Sequence, residues 1–90
     1  MVLGRVIGTV WATRKDESLT GMKLQIVRPV DLDYSEKQGF LIAVDVVGAG
    51  VGEKVIVVQG SSARQTDLTT QKPVDAAIIA IIDKLDVEKA

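Results

Sequence analysis

The chain contains neither cysteine nor histidine, and only three of its 90 residues are aromatic. Without cysteine it can form no disulfide, thiolate nucleophile or cysteine-ligated metal site. Without histidine it lacks the usual general base near neutral pH and the commonest ligand of transition metals. We therefore expect no catalytic residue, no metal and no cofactor.

The chain also has almost no net charge, because its 11 basic residues nearly balance its 12 acidic ones and the net charge at pH 7 is −1. Such a balance produces no field that attracts nucleic acid or anionic lipid. The longest apolar run, residues 76–82, is too short to cross a bilayer. Arg5 and two glycines interrupt the N-terminal segment, unlike a signal peptide. We expect a soluble protein of a reducing, intracellular setting that binds neither nucleic acid nor membranes.

What the chain has in excess is aliphatic surface. Hydrophobic residues make up 47% of the sequence, and Trp11, Tyr34 and Phe40 are the only aromatic ones, which we expect to fill a core or an interface. A domain of this size buries only about two thirds of the surface that its unfolded chain exposes. Some apolar surface should therefore contact other chains, so the composition favours a homo-oligomer.

Residue patterns predict four strands, at about residues 2–13, 22–30, 40–47 and 54–59. In the second, Met22, Leu24 and Ile26 alternate with Lys23 and Gln25, which indicates a strand with one buried face. Short strands separated by glycine-rich turns are typical of a small barrel or sandwich.

Residues 73–87 are ambiguous. Pro73 is a suitable first residue of a helix, and Ile78, Ile81 and Ile82 lie at helical spacing. However, the β-branched isoleucines favour a strand. The pattern alone leaves both interpretations open.

Two glycine-rich loops flank the fourth strand. The first, "GAGVG" at 48–52, resembles a dinucleotide fingerprint only loosely, because its third glycine is misplaced and a strand rather than a helix follows. It is also no P-loop, since no Gly-Lys-Ser/Thr follows. We interpret it as a tight turn, and expect positive φ at some of the loop glycines: Gly48, Gly50, Gly52 and Gly60.

The second loop, "GSSAR" at 60–64, carries two serines but has no histidine to activate them. A serine after glycine is a good helix N-cap, so we predict a short helical turn through Ala63, Arg64 and Gln65 rather than a nucleophile. Asp45 lies within an apolar strand and must be either exposed or paired. Arg64 and Arg28 are its candidate partners, and an Asp45–Arg64 buried pair is one prediction.

The run "DVVGAGVGEKVIVVQGSSARQT", followed by "KPVDAAIIAIID", resembles the signature of the bacterial microcompartment vertex proteins. These are the pentameric shell proteins of carboxysomes and of ethanolamine- and propanediol-utilising compartments. The opening "LGRVIGTVWATRKDESLTGMKL" is similar to the first hairpin of the family. The resemblance extends over almost the whole chain, from Val2 to about Val87.

The resemblance implies a mostly β fold in one domain, residues 1–90. The expected architecture is a five-stranded barrel, related to the oligonucleotide-binding barrel, with one short helix between strands four and five. The ambiguous segment would then supply a strand at about 77–86, after a helical turn near 61–65.

The implied function is structural: homopentamers that cap the five-fold vertices of a microcompartment shell in the cytoplasm, beside hexameric shell proteins. The alternative is binding or permeation of a small anion through an axial pore, with serine hydroxyls as donors. The resemblance makes both loops subunit boundaries or pore linings, and the candidate residues are Gly48, Gly50, Gly52, Gly60, Ser61, Ser62, Ala63, Arg64 and Asp75.

Overall fold

Five strands and two short 3₁₀ helices form the regular structure of residues 1–88, the part of the chain that this computed structural model describes. The 3₁₀ helices are Glu17–Leu19 and Gly60–Arg64. The strands are β1 (Val2–Val10), β2 (Lys23–Pro29), β3 (Leu41–Asp45), β4 (Lys54–Gln59) and β5 (Ala76–Ile81).

The predicted elements are all present, and the ends of all but β4 are shifted. The ambiguous last segment is a strand, as the resemblance implied, although it stops at Ile81 instead of continuing to Asp86. The predicted helical turn is the 3₁₀ helix Gly60–Arg64. The helix Glu17–Leu19 was not predicted; there the Asp16 carboxylate accepts a hydrogen bond from the backbone N–H of Ser18 at 2.9 Å.

The strands close into a barrel in the order β1-β2-β3-β5-β4, which confirms the predicted fold. The pairs are antiparallel except for β3 with β5, which is parallel. The long strand β1 pairs with β4 through residues 2–5 and with β2 through residues 4–10. Closure leaves no free sheet edge for uncontrolled pairing with other chains.

Small aliphatic side chains fill the barrel. A barrel of few strands is narrow, so its interior accommodates valine and alanine better than aromatic rings. Trp11 and Phe40 are accordingly 89% and 65% exposed, so neither belongs to the core of the subunit. The buried residues of the core are Val6, Val27, Ala43, Ala49, Val55, Val57, Ala76 and Ile78.

A loop on the outside of the barrel is held by an ion cluster. The Glu36 carboxylate accepts a hydrogen bond from the Arg5 guanidinium of β1 and lies 3.9 Å from Nε of Arg28 on β2. The hydrogen bond from Arg5 lowers the pKa of the Glu36 carboxyl below its ordinary value. The segment that follows β2 and contains Glu36 is thereby held against β1 and β2.

At Gly4, β1 and β2 lie too close together to leave room for a side chain. A Cβ atom at this position would lie 2.4 Å from Cγ1 of Val27 and 3.0 Å from the carbonyl oxygen of Arg28. We expect Gly4→Ala to lower the free energy of unfolding by about 1–3 kcal/mol, because the overpacked strands must move apart. Urea unfolding followed by far-UV circular dichroism measures this change, at a single protein concentration because assembly adds to apparent stability.

Gly8→Ala is the matched control, since its Cβ would lie 3.4 Å from Cδ1 and 4.0 Å from Cβ of Ile26 and would contact no backbone atom. Because alanine suits a strand better than glycine, this variant should match or exceed the wild-type stability. Equal losses in the two variants would contradict the steric argument.

Candidate functional site

The two glycine-rich loops emerge from opposite ends of β4, whose six residues span about 17 Å. One subunit therefore does not gather the predicted site residues into a single cluster. Gly48, Gly50 and Gly52 lie in the 48–52 loop, before β4. The remaining candidates lie at the other end, in the Gly60–Arg64 turn and at Asp75 just before β5.

The 48–52 loop is held by the side chains of two acidic residues that flank it. One carboxylate oxygen of Asp45 accepts hydrogen bonds from the backbone N–H groups of Val47, at 3.0 Å, and Gly48, at 2.9 Å. Glu53 accepts another from the N–H of Gly50 at 2.7 Å. These hydrogen bonds hold the backbone of the loop in one conformation. The side chain of Val51, at the tip of the loop, is 64% exposed.

Gln25 holds the same loop from inside the barrel. Its fully buried side-chain amide donates a hydrogen bond to the carbonyl oxygen of Ala49 at 2.8 Å and accepts one from the Thr9 hydroxyl at 2.7 Å. A buried amide needs such partners to offset the loss of water. Gln25 thus links β1 to the loop through the barrel interior.

Sequence reasoning missed this role because it assigned the wrong phase to β2. The alternation of the strand suggested that Leu24 and Ile26 face the core and Gln25 faces water. In the structure, Gln25 and Val27 are buried in the barrel, whereas Leu24 and Ile26 are half-buried on its outer side. Two aliphatic residues therefore project outward from this strand.

At the other end of β4, the Gly60–Arg64 turn is joined to the start of β5. The N–H of Gly60 donates to the carbonyl oxygen of Asp75 at 2.8 Å, and Nη1 of Arg64 donates to that of Val74 at 3.0 Å. Ala63 is fully buried against Val58 and Ala77, so its side chain is unavailable to a neighbouring chain. The turn covers the outer face of β4 and β5.

Ser61 and Ser62 are exposed within this turn. Neither caps a helix, since the N-cap position is Gln59 and it makes no side-chain capping bond; the predicted serine cap was wrong. The prediction of positive φ at some of the loop glycines was correct. Gly48, Gly52 and Gly60 have φ of 80°, 95° and 66°, which confirms the expected left-handed positions.

The candidate pair of Asp45 and Arg64 does not form within the subunit. Both groups are engaged by local partners instead: Asp45 accepts from the N–H groups of its own loop, and Arg64 donates to the backbone carbonyl of Val74. The half-buried carboxylate of Asp45 therefore obtains its hydrogen bonds without an ion pair.

Residues 1–88 contain no group of three or more acidic side chains placed to hold a metal ion. Within this same range, no helix has the length and apolar character needed to cross a membrane. The candidate contact surfaces of the subunit are therefore the 48–52 loop, the Gly60–Arg64 turn and the outer side of the barrel, where Leu24 and Ile26 project.

Comparison with known proteins identifies this arrangement. The model of the family described as "Ethanolamine utilisation protein EutN/carboxysome" matches residues 1–83. The chain belongs to this family. The carboxysome shell vertex protein CcmL of Nostoc sp. PCC 7120 is 46% identical over 89 residues, which cover 98% of this chain and 88% of that protein. The microcompartment shell vertex protein GrpN of Rhodospirillum rubrum is 45% identical over 86 residues, which cover 96% and 97% of the two chains.

Solved structures of the same relatives have the same fold. The Nostoc CcmL structure superposes with a TM-score of 0.94 and covers 98% of this chain. GrpN, described as a pentameric microcompartment shell protein, superposes with a TM-score of 0.89 at 44% identity. That match covers 98% of this chain and 100% of the GrpN chain. The predicted family and its barrel are thereby confirmed.

Gln25→Leu tests whether the buried amide positions the 48–52 loop. Losing one buried hydrogen bond weakens local closure by about 1 kcal/mol, so the loop amides should exchange with deuterium about fivefold faster. The amides to follow, by hydrogen–deuterium exchange with NMR detection, are those of Val47, Gly48 and Gly50. Gln59→Leu is the control, because Gln59 is exposed and caps nothing. Unchanged exchange in Gln25→Leu would show that the loop is held without the amide.

Proposed function

We propose that this protein is a structural subunit that forms homopentamers and caps the five-fold vertices of a bacterial microcompartment shell. Its place is in the shell of a compartment within the cytoplasm, where it adjoins hexameric shell proteins. It performs no catalysis in this role, and it binds neither nucleic acid nor membranes.

The match to GrpN carries the proposal. That protein is described as pentameric, and its whole chain is covered by this one at 44% identity. The relative therefore has no additional domain to which its assembly could be attributed. A subunit with the same barrel can form the same ring from the barrel surface and its loops.

The two loops supply directional contacts at the subunit boundary in this proposal. Ser61, Ser62 and Asp75 present exposed polar groups, and the guanidinium of Arg64 has further N–H donors beyond the one bound to Val74. The 48–52 loop is held by Gln25, Asp45 and Glu53. It contributes backbone groups and the side chain of Val51 to the boundary. In a ring of identical subunits each such contact recurs at every boundary.

A shell needs the pentamer for curvature. Hexameric tiles associate into flat sheets, and a sheet closes into a polyhedron only where five-fold units replace six-fold ones. The alternative function, binding or passage of a small anion along the axis, gains no support from the relatives, which are named as shell vertex proteins. We therefore do not propose it.

Native mass spectrometry of the purified protein should give a pentamer at micromolar concentration. The physical reason is the aliphatic outer surface, which is stabilised by burial against neighbouring copies. A monomer or dimer under these conditions would rule out the pentameric cap.

Deletion of the gene should leave shells that assemble but fail to close. Electron microscopy should show elongated or open compartments, because hexameric sheets lack the five-fold units that supply curvature. The cargo enzymes should retain their specific activity in lysate, since the proposed role is not catalytic. Normal polyhedra in a strain with no second vertex gene would contradict the proposal, and lost lysate activity would indicate a catalytic role instead.

A further inference from the structure

Three basic side chains lie in one row across β4, β1 and β2. The strand pairing places Arg5 opposite both Lys54 and Arg28. Their neighbours Val6 and Val55 are fully buried in the barrel, and side chains alternate along a strand, so the three cations lie on the outer side. Neighbouring strands are about 4.8 Å apart, so the two outer members are about 10 Å from each other. We call Lys54, Arg5 and Arg28 the cationic row.

The cationic row places like charges directly opposite each other, which destabilises a sheet. Arg5 and Arg28 form such a pair, and their side chains are 33% and 34% exposed. Elsewhere in the barrel a charged residue lies opposite a charge of the other sign, as Lys23 lies opposite Asp45. An anion bound to the row therefore offsets a repulsion that is built into the sheet.

The chain itself supplies one such anion from the segment 31–37, which we call the strap. The strap follows β2 and folds back along its end, where the N–H of Lys37 donates to the carbonyl oxygen of Pro29 at 2.9 Å. It carries Glu36, whose carboxylate contacts both arginines of the cationic row. Three cations and one carboxylate leave a local charge of +2, so the row is only partly neutralised.

Lys54 receives no carboxylate partner from residues 1–88. Its Nζ lies 5.2 Å from the centroid of the Tyr34 ring, at the tip of the strap. Tyr34 has a φ of 67°, a left-handed conformation that is uncommon for a residue other than glycine. A cation–π contact leaves the charge of the ammonium group in place. The strap therefore covers Lys54 without neutralising it.

Polar contacts hold the strap, so it can leave the cationic row while the barrel stays folded. None of its residues is buried, and Leu32 is 64% exposed. Segments with few buried apolar contacts open locally at a small cost in free energy. The ion pairs of Glu36 are themselves exposed to water, where such pairs contribute little. A ligand that brings more than one carboxylate can therefore displace Glu36.

We infer that the cationic row is a docking site for an acidic, extended peptide segment of another protein, which binds by displacing Glu36. The strap shows this mode of binding, because Glu36 is an acidic residue on a backbone that forms a β-bridge with Val30. Alternate residues of an extended peptide lie about 7 Å apart on one side, so two carboxylates reach different members of the row. The inference goes beyond the shell role proposed above and does not depend on the number of subunits.

A short acidic segment fits the row better than a nucleic acid does. Nucleic acids gain affinity by contacting basic residues over many phosphates. Here three cations span about 10 Å, and the chain as a whole has a net charge of −1. Two or three carboxylates are enough to occupy such a site.

Glu36→Gln tests whether the strap competes for the row. The probe is a fluorescein-labelled peptide of about eight residues in which glutamate and threonine alternate, and fluorescence anisotropy measures its binding to the assembled protein. At low salt it should bind this variant about threefold or more tighter than the wild type, because the resident carboxylate no longer competes. Glu88→Gln is the matched control, since Glu88 is exposed and its loss changes the net charge equally. It should bind the peptide as the wild type does.

Arg28→Gln, added to Glu36→Gln, tests the row itself. Binding of the peptide should weaken by about threefold or more, because one of the cations is lost. Arg14→Gln on the same background is the control, since Arg14 is exposed in the loop after β1. Far-UV circular dichroism of each variant establishes that the barrel remains folded.

Two further probes distinguish an acidic peptide from other anions. Inorganic phosphate should displace the labelled peptide only at a concentration about tenfold or more above that of the unlabelled peptide, since a single ion does not reach separate cations. Equal competition by phosphate would show an unspecific anion site, and tighter binding of a thymidine oligonucleotide of equal charge would assign the row to nucleic acid. Either result would overturn the inference. So would Glu36→Gln that binds no tighter than Glu88→Gln, or an Arg28→Gln change without effect.

Discussion

The narrow interior of a closed five-stranded barrel is the constraint on which the rest of this structure depends. Its core consists of valine, alanine and the fully buried Ile78, and other aliphatic side chains of the strands, among them Leu24, Ile26 and Ile42, lie outside it. These side chains lie on the outer side of β2 and β3. An apolar outer surface on so small a subunit is stabilised when other copies cover it.

The same barrel also fixes the shape of its loops. Gln25 reaches the 48–52 loop from the interior, Asp45 binds the start of the loop, and Glu53 binds its middle. At the other end of β4, Ala63 inserts a small side chain between Val58 and Ala77 and anchors the turn that carries the exposed serines. An assembly protein needs loops that keep one shape, because flexible loops would lose conformational entropy at every contact.

Much of the fold follows from local pattern. The bounds of β4 were predicted to the residue, and the left-handed conformation of Gly48, Gly52 and Gly60 follows from the glycines of the loops. A helical turn was predicted at the right place, but for the wrong reason, since no serine caps it. The last strand did not follow from local pattern, because its isoleucines fit both a helix and a strand. Its state depends on non-local pairing with β3 and β4, and here the family resemblance supplied the answer.

The sequence by itself determined that this is a small aliphatic β protein without cysteine or histidine, and its motifs indicated the family. Tertiary structure alone decided which side of each strand faces inward. The alternation in β2 is equally compatible with either phase, and the phase that buries Gln25 prevails because Thr9 and Ala49 offer partners to its amide. The same tertiary hydrogen bonding directs Asp45 to its own loop and Arg64 to Val74, since a partner's position in space cannot be read from its position along the chain.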